Sequence, residues 1–271
     1  YPKACAKMSK LMDDMLHESH YQEVAEKVIW DAIMYGTGVI QGPLAIHNQR
    51  FRVRPNGYNY EQQPEDVYTP TFRYIPIWNF YPDMHTTTYK DEQGKILSDY
   101  VIIMHTSSKR DLDLLSQRPD FMSSPIRELI ASYKDGDYIP QPWERDVRVS
   151  GVDTVLTLPI PDRYQVLEYW GWLNVKDIQN ETYFQPYKNI VGDIPQICAN
   201  VWICRDKVIK FMINPLRDSI LPFHLFYFDK DETSILGQGL VRILRDTQKA
   251  VCSLQRAMLD NVSASGGVQK L

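Results

Sequence analysis

Residues 24–43, VAEKVIWDAIMYGTGVIQGP, contain the change of period on which the fold class turns. Upstream, Met8, Leu11, Met12, Met15 and Leu16, then Val24, Val28, Ile29, Ala32 and Ile33, recur at three- and four-residue steps. That spacing lines one face of a helix, so a single long helix is expected from Ala4 to Tyr35. Gly36, with Gly38 behind it, supplies the stop. Downstream the runs are short, β-branched and aromatic: Val39-Ile40, Phe51-Arg52-Val53, and Phe72 to Ile77. Turn signals at Gly42-Pro43 and Pro55-Asn56-Gly57 separate them.

The same alternation continues to the end of the chain. Tyr100 to His105 reads as a strand, followed by a short helix with Ser108 and Asp111 in a capping-box-like pair and Pro119 beyond its end. Ser124 is the expected N-cap of a second short helix, with Pro125 at its first position and Glu128 in its first turn. Gly136 to Pro161 carries four prolines and few periodic apolar residues, and reads as a long connection. Strands are expected at Tyr164 to Leu173, at Ile197 to Met212 (two, around Cys204 to Lys207) and at Phe223 to Phe228. The order helix, strands, two small helices, strands, helix is α+β, without the regular βαβ alternation of a parallel sheet.

Composition narrows the function classes. With 44% hydrophobic and 24% charged residues, the 271-residue chain can bury a core, so wholesale disorder is excluded. No run of about 18 uncharged apolar residues occurs, so no membrane-spanning helix is expected. The chain opens on Tyr1 with no basic-then-apolar leader, so no secretory signal is visible. A net charge of −4 argues against a protein whose main task is gripping a phosphate backbone. Yet from residue 201 onward ten basic residues outnumber seven acidic ones. Cys5, Cys198, Cys204 and Cys252 are too scattered for a disulfide framework and read as reduced thiols.

Catalytic signatures are missing. His17 and His20 stand at i and i+3, one residue short of the spacing in HExxH, with no third ligand suggested; no metal site or cofactor is expected. Gly36-Thr37-Gly38 follows a helix where a phosphate loop should precede one, and Gly237-Gln238-Gly239 lacks a P-loop lysine. Trp78, Phe80 and Tyr81, then Tyr169, Trp170 and Trp172, are candidates for stacking platforms or for core and subunit contacts. One competing reading is a carbohydrate-binding or -cleaving module using Trp170, Trp172 and Glu168, which share a strand face by alternation. Another is a structural virion or adaptor protein without a channel. The sequence does not read as an enzyme.

The C-terminal helix, Gly239 to about Val262, carries the most information. Leu240, Leu244, Val251, Leu254 and Met258 share one face, while Arg242, Arg245, Lys249 and Arg256 fall within roughly 60° of arc on the opposite face. Such a stripe is either a solvated face or one turned toward DNA or a neighbouring subunit. Asp246 and Asp260 border it.

Three stretches, in order, resemble bacteriophage portal proteins, the head-to-tail connectors of the short-tailed phage type. Residues 30–43 are similar to the family's helix-to-strand junction; Ile75-Pro76-Ile77-Trp78-Asn79-Phe80-Tyr81-Pro82-Asp83 resembles its strand end. Leu236-Gly237-Gln238-Gly239-Leu240, followed by Asp246-Thr247-Gln248 and Met258-Leu259-Asp260-Asn261, is similar to its glycine-led helix with an internal glutamine. The resemblance implies a wing-like α+β region over residues 1–230 and the start of a stem helix over 231–271. A second stem helix, clip and crown are not apparent before Leu271. It further implies a homo-oligomeric ring, generally a dodecamer, at one capsid vertex of the virion, assembled in the host cytoplasm. Double-stranded DNA would pass through its channel without sequence specificity. The implied partners are the major capsid protein, scaffold, terminase and tail or adaptor proteins, with no membrane. Arg242, Arg245, Lys249 and Arg256 are then the candidate channel or subunit-contact residues.

Overall fold

Gly36 ends its helix as expected. It adopts φ +99°, a left-handed conformation that costs glycine little, and donates its N–H to Ala32 O. The computed structural model describes residues 2–56, 59–90, 97–133, 138, 162–192, 194–216 and 220–266. The connection expected over 136–161 lies outside them, apart from Tyr138. In chain order the helices are α1 (Pro2–Glu18), α2 (Tyr21–Tyr35), α3 (Lys109–Ser116), α4 (Ser123–Ser132), α5 (Val175–Ile178), α6 (Lys188–Val191) and α7 (Leu240–Ser265). The strands are β1 (Thr37–Asn56), β2 (Asn59–Ile75), β3 (Phe80–Pro82), β4 (Tyr100–Ser108), β5 (Arg163–Asn174), β6 (Gln196–Cys204), β7 (Lys207–Ile213) and β8 (Phe223–Tyr227). The fold is α+β with antiparallel sheets, as the pattern of elements predicts.

The chain forms two compact units. One combines residues 1–77 with 222–271, and the other is the segment 78–221 between them. The expected division near residue 230 separates a wing from a stem; compactness divides the chain elsewhere and joins its two ends in one unit.

In the first unit, β1 lies between β2 and β8. Val39 faces Ile75 on one side and Leu225 on the other, and Val39, Ile75 and Phe223 are buried with Val28 and Ala32 of α2. The single helix expected over 4–35 is two. His20 takes φ +52°, closing α1 and opening α2, while the Ser19 hydroxyl donates to Leu16 O. The separate short strands expected after Gly36 are likewise one ribbon, β1 with β2, paired out to Asn56 and Asn59. Gly42-Pro43 does not end the strand. These two residues oppose Phe72 alone, a bulge that absorbs a proline with no N–H to donate, and Gly42 N–H turns to Pro222 O.

The second unit is a five-stranded meander in the order β3-β4-β5-β6-β7. Side chains alternate across β6, so Cys204 joins Leu112, Ile126, Leu129 and Val166 on one face, beneath α3 and α4. Ile197, Ala199 and Val201 join Ile178, Phe184, Val191 and Phe211 on the other. The capping box at Ser108 and Asp111 forms in full. α4 begins earlier than expected: Ser123 is already helical and Met122 stands at the N-cap, so Ser124 is not the cap. Ser124 instead donates its hydroxyl to Glu128. The two strands expected around Cys204 to Lys207 are β6 and β7, joined by a turn in which Arg205 takes φ +54°.

Candidate functional site

The two Gly-x-Gly pairs, dismissed as phosphate loops, meet each other. Gly36, at the end of α2, and Gly237, just before α7, approach so closely that a Cβ on Gly36 would lie 2.3 Å from Gly237 O. A Cβ on Gly237 would lie 2.6 Å from Gly36 O, and one on Gly239 2.4 Å from Met34 O. Real Cβ atoms do not sit that near a carbonyl, so each position excludes any side chain. Polar bonds tie the crossing: Gly237 N–H donates to Thr37 Oγ1 at 2.7 Å, and Phe228 N–H to Gly36 O at 3.1 Å. Asp229 O accepts from Gln238 N–H at 2.7 Å.

Asp231 organises the loop ahead of the helix. Its carboxylate accepts from the Thr233 hydroxyl and backbone N–H and from the Gln238 amide. Those bonds, with the charge of Arg242 nearby, hold it below the usual carboxylate range. Thr37, Asp229, Asp231 and Gln238 were not singled out from sequence. The signal that could have found them is the repetition of Gly-x-Gly at two helix ends without phosphate-loop context.

From this junction α7 runs for 26 residues with no residue buried. The expected wheel holds. Leu240, Leu244, Val251, Leu254 and Met258 stand on one side, the last two at 66% and 68% exposure. Arg242, Arg245, Lys249 and Arg256 are all exposed on the other. Arg245 Nε lies 3.4 Å from Asp246 Oδ1, a solvent-screened contact worth little. The junction thus launches from fixed geometry a two-faced helix that the isolated chain leaves uncovered.

The other sequence candidates belong to other elements. His17 and His20 are exposed beside Asp13 and Glu23, and no metal-holding group of three such residues forms among the described residues. Cys198 and Cys204 are buried and Cys5 is exposed. Trp78, Tyr81 and Trp172 are partly exposed, whereas Phe80 and Trp170 are buried. Glu168 is also buried: it accepts from Trp170 Nε1 at 2.7 Å and Asn200 Nδ2 at 3.3 Å, and pairs with His105 Nε2 at 2.7 Å. His105 in turn stacks on Trp202, whose Nε1 donates to Asn200 Oδ1. That closed network engages the carboxylate that the carbohydrate reading needs open. Among the described residues no helix is long and apolar enough to cross a membrane. No family model matches the chain, and no curated protein is significantly similar to it.

Proposed function

We propose that the chain is a structural subunit of a ring of the phage portal type, a head-to-tail connector through which double-stranded DNA passes. The observation that carries this reading is α7. An amphipathic helix of this length gains most of its stability from packing one face, and here nine large apolar side chains from Leu240 to Val262 remain exposed. Burying them against neighbours is worth on the order of 10 kcal/mol per helix at half the full transfer value. A closed ring of identical subunits covers each such helix while leaving none unmatched.

The basic stripe suits a conduit better than a clamp. Each phosphate neutralised releases counterions and deepens binding, so a channel that must let DNA slide is best lined sparsely, as in a chain of net charge −4. Two of the three landmarks of the resemblance also gain a shared physical role, since the first and third contain the glycines that cross at the foot of α7.

Negative-stain electron microscopy with mass photometry on the same sample tests the reading. Rings with a central hole and about a dozen subunits are expected. A chain that stays monomeric or dimeric even with its capsid partners present would favour an adaptor without a channel.

A further inference from the structure

The break between α1 and α2 has a second effect. Where the chain turns at His20, the two helices enclose a hollow of about 560 Å³ lined by Asp13, Tyr21, Glu23 and Glu26. A second hollow of about 370 Å³ continues along α2, again walled by Glu23 and Glu26 and then by Trp30 and Asp31. Lys27 offsets part of this negative charge. Glu26 receives the Gln22 amide at 3.3 Å, and Glu23 lies 3.7 Å from His20 Nδ1. Neither meets a lysine or arginine at ion-pair distance among the described residues. Trp30, at 61% exposure, offers its indole beside them.

The complementary surface is on the same chain. α7 is uncovered, and Arg242, Lys249 and Arg256 meet no carboxylate at ion-pair distance among the described residues. Arg245 and Lys249 stand one helical turn apart on α7, as the exposed Glu23 and Glu26 do on α2, so two adjacent cations can face two adjacent carboxylates. Carboxylates beside an aromatic face suit arginine in particular, which can bridge the one and stack on the other. A second copy brings both surfaces together.

We propose that the basic face of α7 in one copy seats in the acidic, aromatic-walled groove between α1 and α2 of the next copy, a head-to-tail contact that propagates around the ring. This inference rests on the reading of the chain as a ring subunit. It assigns the stripe to a neighbour's carboxylates and not to phosphate. Because donor helix and acceptor groove are different surfaces, the contact is heterologous and closes only when the rotation per subunit divides a full turn.

A charge-reversal cycle on the intact protein tests it, with assembly followed by mass photometry across a concentration series. Glu23→Lys with Glu26→Lys, and separately Arg245→Glu with Lys249→Glu, should each raise the assembly midpoint by about tenfold or more. Combining all four should return it to within about threefold of the parent protein. Circular dichroism melts of each variant identify any that fails to fold; for those, the glutamine versions replace the reversals and the coupling between the pairs is read instead. Reversals that assemble like the parent, a coupling near zero, or a quadruple variant no better than the doubles would each overturn the contact. So would an Arg245/Lys249 reversal that keeps the ring but abolishes binding of a duplex DNA probe. A parent protein that never forms rings overturns the ring reading itself, whereas rings indifferent to reversal overturn the contact alone.

Discussion

Glu168 shows how a buried carboxyl group is held by its partners. Partners from three strands converge on it: Trp170 beside it on β5 and Asn200 on β6 donate to one oxygen, and His105 Nε2 on β4 lies 2.7 Å from the other. Replacing it with leucine strips partners from all three at once. Glu168→Leu is expected to destabilise by about 3–5 kcal/mol, read from urea unfolding; a loss below about 1 kcal/mol would mean the donors find other partners. Asp31 of α2 is the opposite case. Burial raises its carboxyl above the usual range, against the lowering effect of the Tyr74 hydroxyl and of Ile77 N–H. In the unfolded chain an aspartate titrates near pH 4, so between about pH 4 and the raised folded value the native protein holds the extra proton. Stability therefore rises as pH falls through that window, and the gain is complete below it. Asp31→Asn, whose amide oxygen can still accept from Tyr74, should flatten this rise. Melting temperatures of both proteins from pH 7 to 4 give the check; parallel curves would dissociate Asp31 from the trend.

At the scale of elements, the foot of α7 tolerates little change. Gly237→Ala sets a methyl against Asp229 O and Gly36 O, both backbone atoms that cannot swing away. A cost of about 2–3 kcal/mol is expected, with lost ring formation as the more sensitive readout; an unchanged melt would show that the crossing relaxes. α7 itself should behave differently alone and assembled. With no buried residue it opens locally in the free chain, so its amides should exchange fast there and become protected in the ring. Equal exchange in both states would mean that α7 is not an assembly surface. Elements with strong local signals were legible in the sequence: the Gly36 stop, the Ser108 capping box, the β6–β7 turn and the two faces of α7. The helix break was not, because His20 carries no glycine-like mark, and the pause in apolar steps from Leu16 to Val24 was bridged as one helix. Nor was the continuity of β1, since Gly42-Pro43 reads as a turn and only pairing to β2 makes it a bulge. The α4 cap was misassigned because Met122, which stands at the N-cap, has no capping side chain, whereas Ser124 two residues on does.

For the whole molecule, the proposed ring rests on surfaces that the single chain leaves exposed. The α1–α2 groove and α7 carry opposite charge, and their distance in sequence hides the match. Pairing of Gly36 with Gly237 across 200 residues escaped a single-sequence reading for the same reason: the spacing of each motif is local, but its purpose is not. Substituting Arg242, Arg245, Lys249 and Arg256 together with glutamine keeps the helix and removes its stripe. That variant should form fewer rings and, in particles, package less DNA. Unchanged particle yield and DNA content would remove the stripe from any role in assembly or passage.

The strand order of the first unit also sets a timetable. β8 completes that sheet only after the whole of residues 78–221 has been made, a delay of roughly 7–30 s at ordinary rates of synthesis. During that interval β1 has β2 on one side and a bare edge on the other, and by its end the five-stranded meander has every strand it needs. Thr37 waits for Gly237, and Gly36 for Phe228. The helix with which one copy would reach another is thus anchored only after the strands of both sheets have been made.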